Sequence, residues 1–556
     1  MGILIDYLLF MEATCLVSGK PFVISEKEVA YCRDHGIPLP RISPEERLKR
    51  VLSFRNRTFL YNATCASSQK PILSCIPPDS GLAVYDNDIW NSEQWDPLSY
   101  GQDYDPSRPF LDQLKELYRK VPLPNLTLVR SSVENSEYVN GAVNLKNCYL
   151  TFASTHLEDC MFGWNIFECK NVLNCISSQK CELCYYCRNA TNCYRLQYAD
   201  NCNSCSSSYF LESCNSCKDC YGCVNLSNKQ YCWYNEQLTK EAYEQRLAGV
   251  NLGSYQARQA EVEKFEAFKK TMPIKYQQGQ NNDDVTGNFM SNSKNCTNVF
   301  NSTNAVDVEN CVATNKSKDS FCCAYFTGGE LVYAAHAGVE NYNIQFCAEC
   351  IHSRDMMYCV YCVQGCTDCL GCVGLKKKQY CILNKQYTKE EYERLVALIR
   401  SDLTTKNQWD EYFPRDMSPF YYNQSDAMIV FPMTKDQALK QGYRWYDDPV
   451  RNDGDRYLIP DQISDVTDDI LKTTLTCEET QKPYRVIKTE LAFYREHNIP
   501  LPRVAPLTQV HNQAAVFRVD DLRDIVCSQC QKQLKSVYDP AERPVLCQEC
   551  YTATVY

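Results

Sequence analysis

Small or apolar residues recur at every third position over a long stretch of the chain, and polar residues fill the positions between them. All fifteen cysteines from Cys148 to Cys232 lie in this one register. The pattern predicts short segments in which every third side chain points into a narrow interior. The inward column comprises Val133, Ser136, Val139, Ala142, Leu145, Cys148, Thr151, Ser154, Leu157, Cys160, Gly163, Ile166, Cys169, Val172, Cys175, Ser178, Cys181, Cys184, Cys187, Ala190, Cys193, Leu196, Ala199, Cys202, Cys205, Ser208, Leu211, Cys214, Cys217, Cys220, Cys223 and Leu226.

The same three-residue pattern returns in the second half of the chain. It runs from Met290 to Cys362, and Cys322 stands outside it. The pattern then slips by one residue, so we expect a bulge or a wider turn at Gly365. The cysteines of this second column are Cys296, Cys311, Cys323, Cys347, Cys350, Cys359 and Cys362, followed after the slip by Cys366, Cys369 and Cys372.

The two columns predict a mainly β fold with two cysteine-lined, β-solenoid-like arrays: the first array over residues 133–234 and the second array over residues 287–384. A polyproline-II bundle is the alternative, because that conformation also has three residues per turn. The coil length stays open. Blocks of nine residues begin at Cys184 and Cys193, whereas Cys148 and Cys160 lie twelve residues apart.

A charged segment follows each array and predicts a helix. LSNKQYCWYNEQLTKEAYEQRL begins at Leu226 and LKKKQYCILNKQYTKEEYERLV begins at Leu375, so an array and its helix were duplicated together. Thr388, with Glu391 three residues later, has the spacing of a capping box, and Thr239 starts the helix after the first array. We expect these helices to cap the open ends of the arrays.

A second duplication encloses the first. The segment CLVSGKPFVISEKEVAYCRDHGIPLPRISP begins at Cys15 and matches CEETQKPYRVIKTELAFYREHNIPLPRVAP, which begins at Cys477, at a constant offset of 462 residues. The two ends of the chain therefore carry related modules.

Four cysteines near the C-terminal end have the spacing of a metal site. Cys527 and Cys530 form one close pair, and Cys547 and Cys550 form another, with a hairpin-length spacer between them. Two such pairs match a tetrahedral zinc site with four thiolate ligands. So small a ribbon has little core without its ion, which favours zinc over two metal-free turns.

The N-terminal module lacks three of these four ligands. The offset of 462 residues carries Cys65 onto Cys527 and places Ser68, Tyr85 and Asp88 opposite the other three cysteines. We expect this module to be free of metal and held by packing, with Tyr85 filling part of the vacated space.

The duplicated segments resemble treble-clef-like zinc ribbons, whose pattern is CxxC-G-xx-F, an acidic residue, an aromatic pair, a glycine and P-R-C-xx-C-R. The residues that match are Cys15, Gly19, Phe22, Glu28, Tyr31, Gly36, Pro40 and Arg41. The other three cysteines of the pattern are replaced by Ser18, Ile42 and Glu45, and in the second copy by Thr480, Val504 and Leu507. The resemblance implies an interaction module, because zinc ribbons of this type are not enzymes by themselves.

The whole arrangement resembles uncharacterised cysteine-rich zinc-ribbon proteins of uncultivated small-genome bacteria. The shared features are a degenerate ribbon, the aromatic stretch from Trp90 to Phe110, asparagine-cysteine steps such as Asn147-Cys148, and a closing segment of the NKQYCWYN type. This resemblance supports the architecture and implies no activity.

These patterns divide the chain into seven segments. They are a degenerate zinc-ribbon-like module (1–92), an aromatic-rich linker (93–132), the first array (133–234), capping helices and a linker (235–286), the second array (287–384), a capping helix and linker (385–473), and a treble-clef-like segment with the four-cysteine ribbon (474–556).

Composition indicates a cytoplasmic protein with no membrane span. The apolar runs are too short to cross a bilayer, and the opening MGILIDYLLFM lacks a basic leader and a cleavage site. Without a secretion signal, the 36 cysteines are expected to be reduced. A net charge of -10 disfavours nucleic acid as a partner, although the run from Arg41 to Arg57 could form a local basic patch.

The sequence favours a non-enzymatic, zinc-containing scaffold that presents repetitive faces, rich in Tyr, Asn and Ser, to a macromolecular partner, most simply a protein. The six histidines lie in no recognisable catalytic motif, although an active site between the arrays is an alternative. A thiol-rich protein for metal storage or redox chemistry is the competing class, and disulfide ladders would require an oxidising compartment. No oligomeric state is predicted.

Overall fold

The computed structural model describes residues 11–34, 36–176, 182–188, 191–324, 327–330, 339–342, 353–406, 408–409, 412–448, 457–514, 518–519 and 522–555. Strands account for 31% and helices for 29% of the structure, so the prediction of a mainly β fold was too narrow. No helix in these ranges is long and apolar enough to cross a membrane. The α-helices are α1 (Glu26–Asp34), α2 (Pro44–Ser53), α3 (Asn87–Asn91), α4 (Phe110–Lys120), α5 (Lys240–Ala248), α6 (Tyr255–Thr271), α7 (Lys389–Thr405), α8 (Asp426–Val430), α9 (Lys435–Lys440), α10 (Lys488–Glu496), α11 (Pro506–Ala514) and α12 (Gln548–Val555).

Two antiparallel hairpins of the same form open the chain. Met11 pairs with Ile24 in the first, and Tyr61 pairs with Ser74 in the second, so the second hairpin repeats the first fifty residues later. A short parallel pair follows. The strands are β1 (Met11–Thr14), β2 (Pro21–Ile24), β3 (Tyr61–Thr64), β4 (Pro71–Ser74), β5 (Val84–Tyr85) and β6 (Leu123–Pro124).

In the first array each parallel strand pairs with the segment twelve residues further along the chain. Thr155 pairs with Phe167, and Tyr194 pairs with Ser206. Twelve residues is therefore the repeat, and parallel β pairing, not a polyproline-II bundle, is the conformation of the described residues. The strands are β7 (Val133–Glu134), β8 (Val143–Lys146), β9 (Tyr149–Phe152), β10 (Thr155–Glu158), β11 (Met161–Trp164), β12 (Phe167–Ile176), β13 (Glu182–Arg188), β14 (Tyr194–Asp200), β15 (Ser206–Glu212), β16 (Tyr221–Val224), β17 (Cys232–Trp233) and β18 (Glu236–Gln237), and β19 (Ile274–Lys275) follows them.

Residues with left-handed backbone, which we call corner residues, recur every three residues in the first array, so a twelve-residue repeat contains four of them. Asn192, Arg195, Tyr198 and Asn201 all have φ between 50° and 61°, at intervals of three residues. Each corner residue directly precedes an inward side chain. Asparagine tolerates this conformation better than most residues, which gives the asparagine-cysteine steps of the sequence a backbone role.

The predicted inward column is confirmed for the described side chains. Its residues form one buried cluster in each array, with no buried member more than 3% exposed. Column positions from 172 to 190 and from 326 to 350 lie outside the described side chains. Cys322, which the sequence places outside the column, is a left-handed corner residue with φ 52°.

The second array has the same construction and contains the predicted slip. Arg354 pairs with Thr367, thirteen residues on, and Thr367 pairs with Gln379, twelve residues on. Gly365 lies between Arg354 and Thr367 and has φ 90°, a conformation that glycine adopts without strain. The predicted slip is therefore confirmed. The strands are β20 (Gly279–Gln280), β21 (Asp283–Ser291), β22 (Lys294–Thr303), β23 (Val306–Val312), β24 (Asn315–Phe321), β25 (Thr327–Glu330), β26 (Val339–Tyr342), β27 (Arg354–Met357), β28 (Thr367–Leu370), β29 (Gln379–Ile382) and β30 (Lys385–Gln386).

Each array ends in an antiparallel turn followed by a capped helix. β18 turns back on β17, and β30 turns back on β29. The predicted helix starts are confirmed, because Thr239 accepts a hydrogen bond from the Ala242 N–H and Thr388 accepts one from the Glu391 N–H. The first helix after each array lays a tyrosine on the last repeat: Tyr243 against Tyr231, and Tyr392 against Tyr380.

Two further hairpins near the C-terminal end repeat the form of the N-terminal pair. Arg523 pairs with Ser536 in the second of them, four residues on each side as in β3 and β4. The strands are β31 (Leu475–Thr476), β32 (Pro483–Tyr484), β33 (Arg523–Val526), β34 (Gln533–Ser536) and β35 (Val545–Leu546). The last of these pairs in parallel with β19.

The chain forms two compact units, and each unit is discontinuous in sequence. The first consists of Met1–Leu126, Gln277–Tyr446 and Phe517–Asp520, and the second consists of Thr127–Tyr276, Asp447–Val516 and Asp521–Tyr556. The N-terminal hairpins therefore belong with the second array, and the C-terminal hairpins belong with the first array.

The basic run from Arg41 to Arg57 does not form a surface patch. Its helix α2 is buried from Glu46 to Ser53 inside the first unit. Arg47 contacts Glu28 at 2.5 Å, Lys49 contacts Glu46 at 2.7 Å, and Arg57 contacts Asp426 at 2.7 Å. These charges are paired within the protein, so the predicted basic patch is not available to nucleic acid.

Glu490, the equivalent of Glu28 in the second unit, makes a pH-dependent contribution to stability. Burial raises the pKa of its carboxyl to about 7, and the hydroxyl of Tyr494 donates to Oε1 at 2.9 Å. The folded state keeps a proton that the unfolded chain loses near pH 4.5, so stability falls as the pH rises from about 4.5 to 7. We expect Glu490→Gln to remove this loss and to raise the free energy of unfolding at pH 8 by up to about 3 kcal/mol.

Glu28→Gln is the matched control, because it breaks the buried contact with Arg47 and should destabilise the protein at every pH. Urea unfolding at pH 5 and pH 8 checks both variants. A Glu490→Gln variant that is less stable than the wild type at pH 8 would contradict the expectation.

Candidate metal centre

The four predicted cysteines come together in the second unit. Cys527 follows β33, and Cys530 lies in the turn before β34. Cys547 follows β35, and Cys550 lies in the first turn of α12. The hairpin of β33 and β34 thus holds the first cysteine pair, and β35 with α12 brings the second pair beside it.

The geometry of the four sulfurs suits a single ion. All four Sγ atoms lie within 4.8 Å of one another, and Cys530 Sγ is 3.7 Å from Cys547 Sγ. Tetrahedral ligands at about 2.3 Å from a metal are separated by about 3.8 Å. Within the described part of the chain, this is the one group of three or more Cys, His, Asp or Glu side chains that could hold a metal ion.

Backbone N–H groups support negative charge on these sulfurs. Burial opposes ionisation of Cys527, but N–H groups that include those of Cys530 and Cys547 outweigh it and lower the pKa of the thiol to about 6. The N–H of Cys547 lies 3.3 Å from Cys527 Sγ. Burial and the neighbouring side chains raise the pKa of Cys547 to about 12. A bound cation would stabilise all four thiolates together.

The site is docked on the first array by contacts that the sequence did not predict. The Tyr551 hydroxyl donates to Asn225 Oδ1 at 2.8 Å. Arg543 Nη1 contacts Glu212 Oε2 at 2.8 Å, and both side chains are nearly buried. β35, which precedes Cys547, pairs with β19. The position of the second cysteine pair therefore depends on the array.

Each of the four hairpins has the same turn between its two strands, and each turn begins at a cysteine. The N–H of Cys15, Cys65, Cys477 and Cys527 donates to the carbonyl oxygen five residues on, at 2.9 Å in every case. The fourth residue after each cysteine is left-handed: Gly19, Gln69, Gln481 and Gln531. We call these modules ribbon 1 (from Met11), ribbon 2 (from Tyr61), ribbon 3 (from Leu475) and ribbon 4 (from Arg523). Only ribbon 4 has four cysteines.

Hydrogen bonds correct which residues stand at the third and fourth ligand positions. In ribbon 4 the N–H that points to the first sulfur belongs to Cys547. In ribbon 2 the corresponding N–H belongs to Asp86, at 3.3 Å from Cys65 Sγ, so Tyr85 and Asp88 were each assigned one residue too early. The third and fourth positions of ribbon 2 are Asp86 and Ile89.

The same correction applies to ribbons 1 and 3. The N–H of Ser43 lies 3.3 Å from Cys15 Sγ, and the N–H of Ala505 lies 3.3 Å from Cys477 Sγ. The ligand-equivalent residues are thus Ser43 and Glu46 in place of Ile42 and Glu45, and Ala505 and Thr508 in place of Val504 and Leu507. Ser18, Ser68 and Thr480 keep the second position.

Hydroxyl and N–H donors take over the role of a cation in ribbon 1. Burial opposes ionisation of Cys15, but hydrogen bonds from Ser18 and Ser43 lower the pKa of its thiol to about 7. In ribbon 3, Cys477 Sγ lies 3.9 Å from the Thr508 hydroxyl. Glu46 of ribbon 1 contacts Lys49. These residues offer hydroxyl, carboxylate and methyl groups where ribbon 4 has thiols, so we expect ribbons 1 and 3 to bind no ion.

The described cysteines of the arrays are thiols that hydrogen-bond to the backbone. Cys193 Sγ donates to the carbonyl oxygen of Thr191 at 3.3 Å and lies 3.5 Å from that of Cys202. Ser208, at a column position, donates to the carbonyl oxygen of Ser206 at 2.7 Å in the same way. The column thus holds small donors as well as small apolar groups, a role that the sequence alone did not reveal. No described cysteine forms a disulfide bond.

Comparisons with known proteins supply no family for this chain. No family model matches it, and no curated protein matches it either. The geometry of the site and of the arrays is therefore the basis for its function.

Proposed function

We propose that the protein is a zinc-bearing, non-enzymatic scaffold that binds a protein partner through the open sides of its arrays. The observation that carries this proposal is that inward and outward side chains differ in chemistry within the twelve-residue repeats. Cysteines point inward, whereas charged side chains such as Lys146 and Lys170 point to solvent, about half exposed.

Each array is, in this proposal, a β-solenoid with a coil of twelve residues and four sides of three residues. Its support is the twelve-residue offset between paired strands, constant in the first array and interrupted by offsets of eleven and thirteen residues in the second, together with left-handed corners at intervals of three residues. Such a stack places side chains at a regular spacing of about 4.8 Å between coils, a surface that an extended partner can follow.

One side of the first array is covered within its own unit. Tyr209, Tyr221 and Trp233 follow one another at twelve-residue intervals, and the rings of Tyr221 and Trp233 stack at 4.1 Å. Phe265 of α6 packs on Phe210 beside them, with ring centroids 6.0 Å apart. This aromatic side therefore contributes to the packing of the fold.

Another side is open and alternates in charge. Glu158 contacts Lys170 at 2.9 Å and Lys146 at 3.8 Å across successive repeats. Alternating signs give no uniform positive potential, so this side fits a protein surface with complementary charges better than a nucleic-acid backbone.

Zinc is the proposed ion because four thiolates in tetrahedral geometry favour it. The ion serves structure, as all four positions are filled by the protein and none is left for a substrate. A metal-storage or redox role would need accessible thiols, yet the array cysteines are buried and hydrogen-bonded to carbonyl oxygens. A reducing, cytoplasmic location is part of the proposal, since buried thiols persist in such a compartment.

Metal content and thiol counts test the first half of the proposal. Protein purified under reducing conditions is expected to contain one zinc per chain by elemental analysis. The array thiols should react with a chromogenic disulfide only after unfolding. Several metal ions per chain would instead favour the thiol-rich metal-handling class.

Site-specific photo-crosslinking tests the partner. A crosslinking residue at position 158 is expected to capture one protein in cells, and the double variant Lys146→Glu, Lys170→Glu should abolish that capture. Lys294→Glu, an exposed charge change on the second array, is the matched control and should leave it intact. Capture that is unaffected by the double variant, or no capture at all, would refute binding through this side.

A further inference from the structure

The cysteines of ribbon 4 differ from the others in their contact with solvent. Among the cysteines whose side chains the structure describes, Cys530 alone is exposed and Cys550 is half-buried, whereas all the others are buried. The array thiols lie in the inward columns, where the buried members are at most 3% exposed. A soluble oxidant therefore reaches the sulfurs of ribbon 4 first, because oxidation of cysteine follows its exposure and thiolate character.

The exposed sulfur has a second sulfur beside it. Cys530 Sγ lies 3.7 Å from Cys547 Sγ, which belongs to the other cysteine pair. A disulfide has an S–S bond of about 2.05 Å, so the two sulfurs need to approach each other by only about 1.7 Å. Cys530 lies in the turn between β33 and β34, where its neighbours Gln529 and Gln531 are exposed and do not obstruct this movement.

Ribbon 4 also covers a segment of its own unit. β35, which precedes Cys547, pairs with β19, which contains Lys275. The Ser536 hydroxyl of ribbon 4 donates to the carbonyl oxygen of Tyr276 at 2.7 Å. Backbone that is paired in this way resists proteases. Because a small ribbon depends on its ion for folding, loss of the ion should make the segment around Lys275 accessible.

We propose that ribbon 4 is a redox-sensitive element in which a peroxide oxidises Cys530 and Cys547 to a disulfide, releases the zinc ion and loosens the contacts of the ribbon with β19. The inference rests on the proposed zinc site. A disulfide removes two of the four thiolates, and the remaining two are too few for a tetrahedral zinc site.

The oxidation balances with hydrogen peroxide as the oxidant. The thiolate of Cys530 attacks one peroxide oxygen, the O–O bond breaks, and the hydroxide that leaves takes up a proton to become water. The sulfur of Cys547 then attacks the sulfenic acid formed on Cys530 and displaces its hydroxyl group as a second water. Two thiols thus lose two electrons and two protons, and one peroxide is reduced to two waters.

Peroxide treatment of the full-length, zinc-loaded protein tests this inference. A chromogenic chelator follows zinc release, and thiols are counted after unfolding. We expect one zinc to be released as two thiols per chain are lost, and peptide mapping to find the peptide with Cys530 joined to the peptide with Cys547. Trypsin should cleave after Lys275 in the oxidised protein only, and dithiothreitol with added zinc should restore the protection.

Cys530→His is the test variant, because three thiolates and one imidazole also form a structural zinc site, whereas histidine cannot form a disulfide. It should release zinc at least tenfold more slowly than the wild type. Cys550→His is the matched control, since it makes the same ligand change but keeps both reacting cysteines and should release zinc as the wild type does. Cys547→His replaces Cys530→His if the latter binds no zinc.

Three results would overturn the inference: zinc that stays bound in the peroxide-treated wild type, equal release by Cys530→His and the wild type, or a Lys275 that stays protected after oxidation. A wild type that contains no zinc before treatment would refute the proposed zinc site itself, and the inference with it.

Discussion

Replacing Cys527 with serine is expected to abolish zinc binding and to unfold ribbon 4. Cys527 is fully buried, and its sulfur accepts the N–H of Cys547, so the change removes both a ligand and the atom that joins the two cysteine pairs. Structural zinc sites contribute about 10 kcal/mol or more of apparent binding free energy, far beyond what so small a ribbon can replace by packing. Elemental analysis and limited proteolysis of the region after Arg523 measure the two effects.

Cys65→Ser in ribbon 2 is the matched control. Cys65 has the same turn and is also fully buried, but its module holds no set of four thiols, so the zinc content should stay at one per chain. A full zinc equivalent in the Cys527→Ser variant, or in a chain that ends before Arg523, would show that the ion binds elsewhere.

Lysine at position 193 is expected to prevent the first array from folding. Cys193 is 2% exposed inside the column, and its neighbours there are thiols, aliphatic groups and carbonyl oxygens that cannot neutralise an ammonium group. Burying an unpaired charge costs several kcal/mol. Circular dichroism and a thermal melt should show loss of the cooperative transition of the second unit.

Two substitutions calibrate that result. Asn192→Lys changes the neighbouring corner, which is exposed with φ 50°, and should cost only about 1 kcal/mol because lysine is less suited than asparagine to the left-handed conformation. Cys193→Ser keeps a donor for the Thr191 carbonyl and should be tolerated better than Cys193→Ala. Equal melting temperatures for lysine at 192 and 193 would refute the three-residue interior.

Local spacing explains what the sequence predicted well. Cys148, Cys193 and their companions recur every three residues because a side of the coil has three residues, and the interior accepts only small side chains. The slip at Gly365 is visible for the same reason. Cys527, Cys530, Cys547 and Cys550 need no knowledge of the fold, because two close pairs are sufficient to bind one ion.

Hydrogen bonds to sulfur explain what the sequence placed wrongly. A constant offset aligned Tyr85 with Cys547, but the backbone that returns to Cys65 presents Asp86. The one-residue difference lies in the loop between the hairpin and the short strand, where length can change without altering either element. The coil length was open for a related reason: both nine and twelve are multiples of three, and only strand pairing distinguishes them.

Long-range pairing lay beyond the sequence patterns altogether. Arg47 contacts Glu28 nineteen residues away, but Arg57 contacts Asp426 across most of the chain. Charged residues in a run predict an exposed face, and only the partner elements show that α2 is buried. The sequence patterns also did not predict that the column thiols donate hydrogen bonds, because cysteine and alanine occupy similar space in the column.

The interleaved order of the two units determines when each unit can fold during synthesis. Ribbons 1 and 2 leave the ribosome before the first array, yet most of the rest of their unit, residues 277–446, is synthesised after it. The first array emerges in between and must wait for residues 447–516 and 521–556. Since domains generally fold as they emerge, the N-terminal ribbons remain unassembled during synthesis of a whole array that belongs to the other unit. A premature stop before ribbon 3 would thus leave the second unit incomplete, although the stop lies far from the first array in sequence.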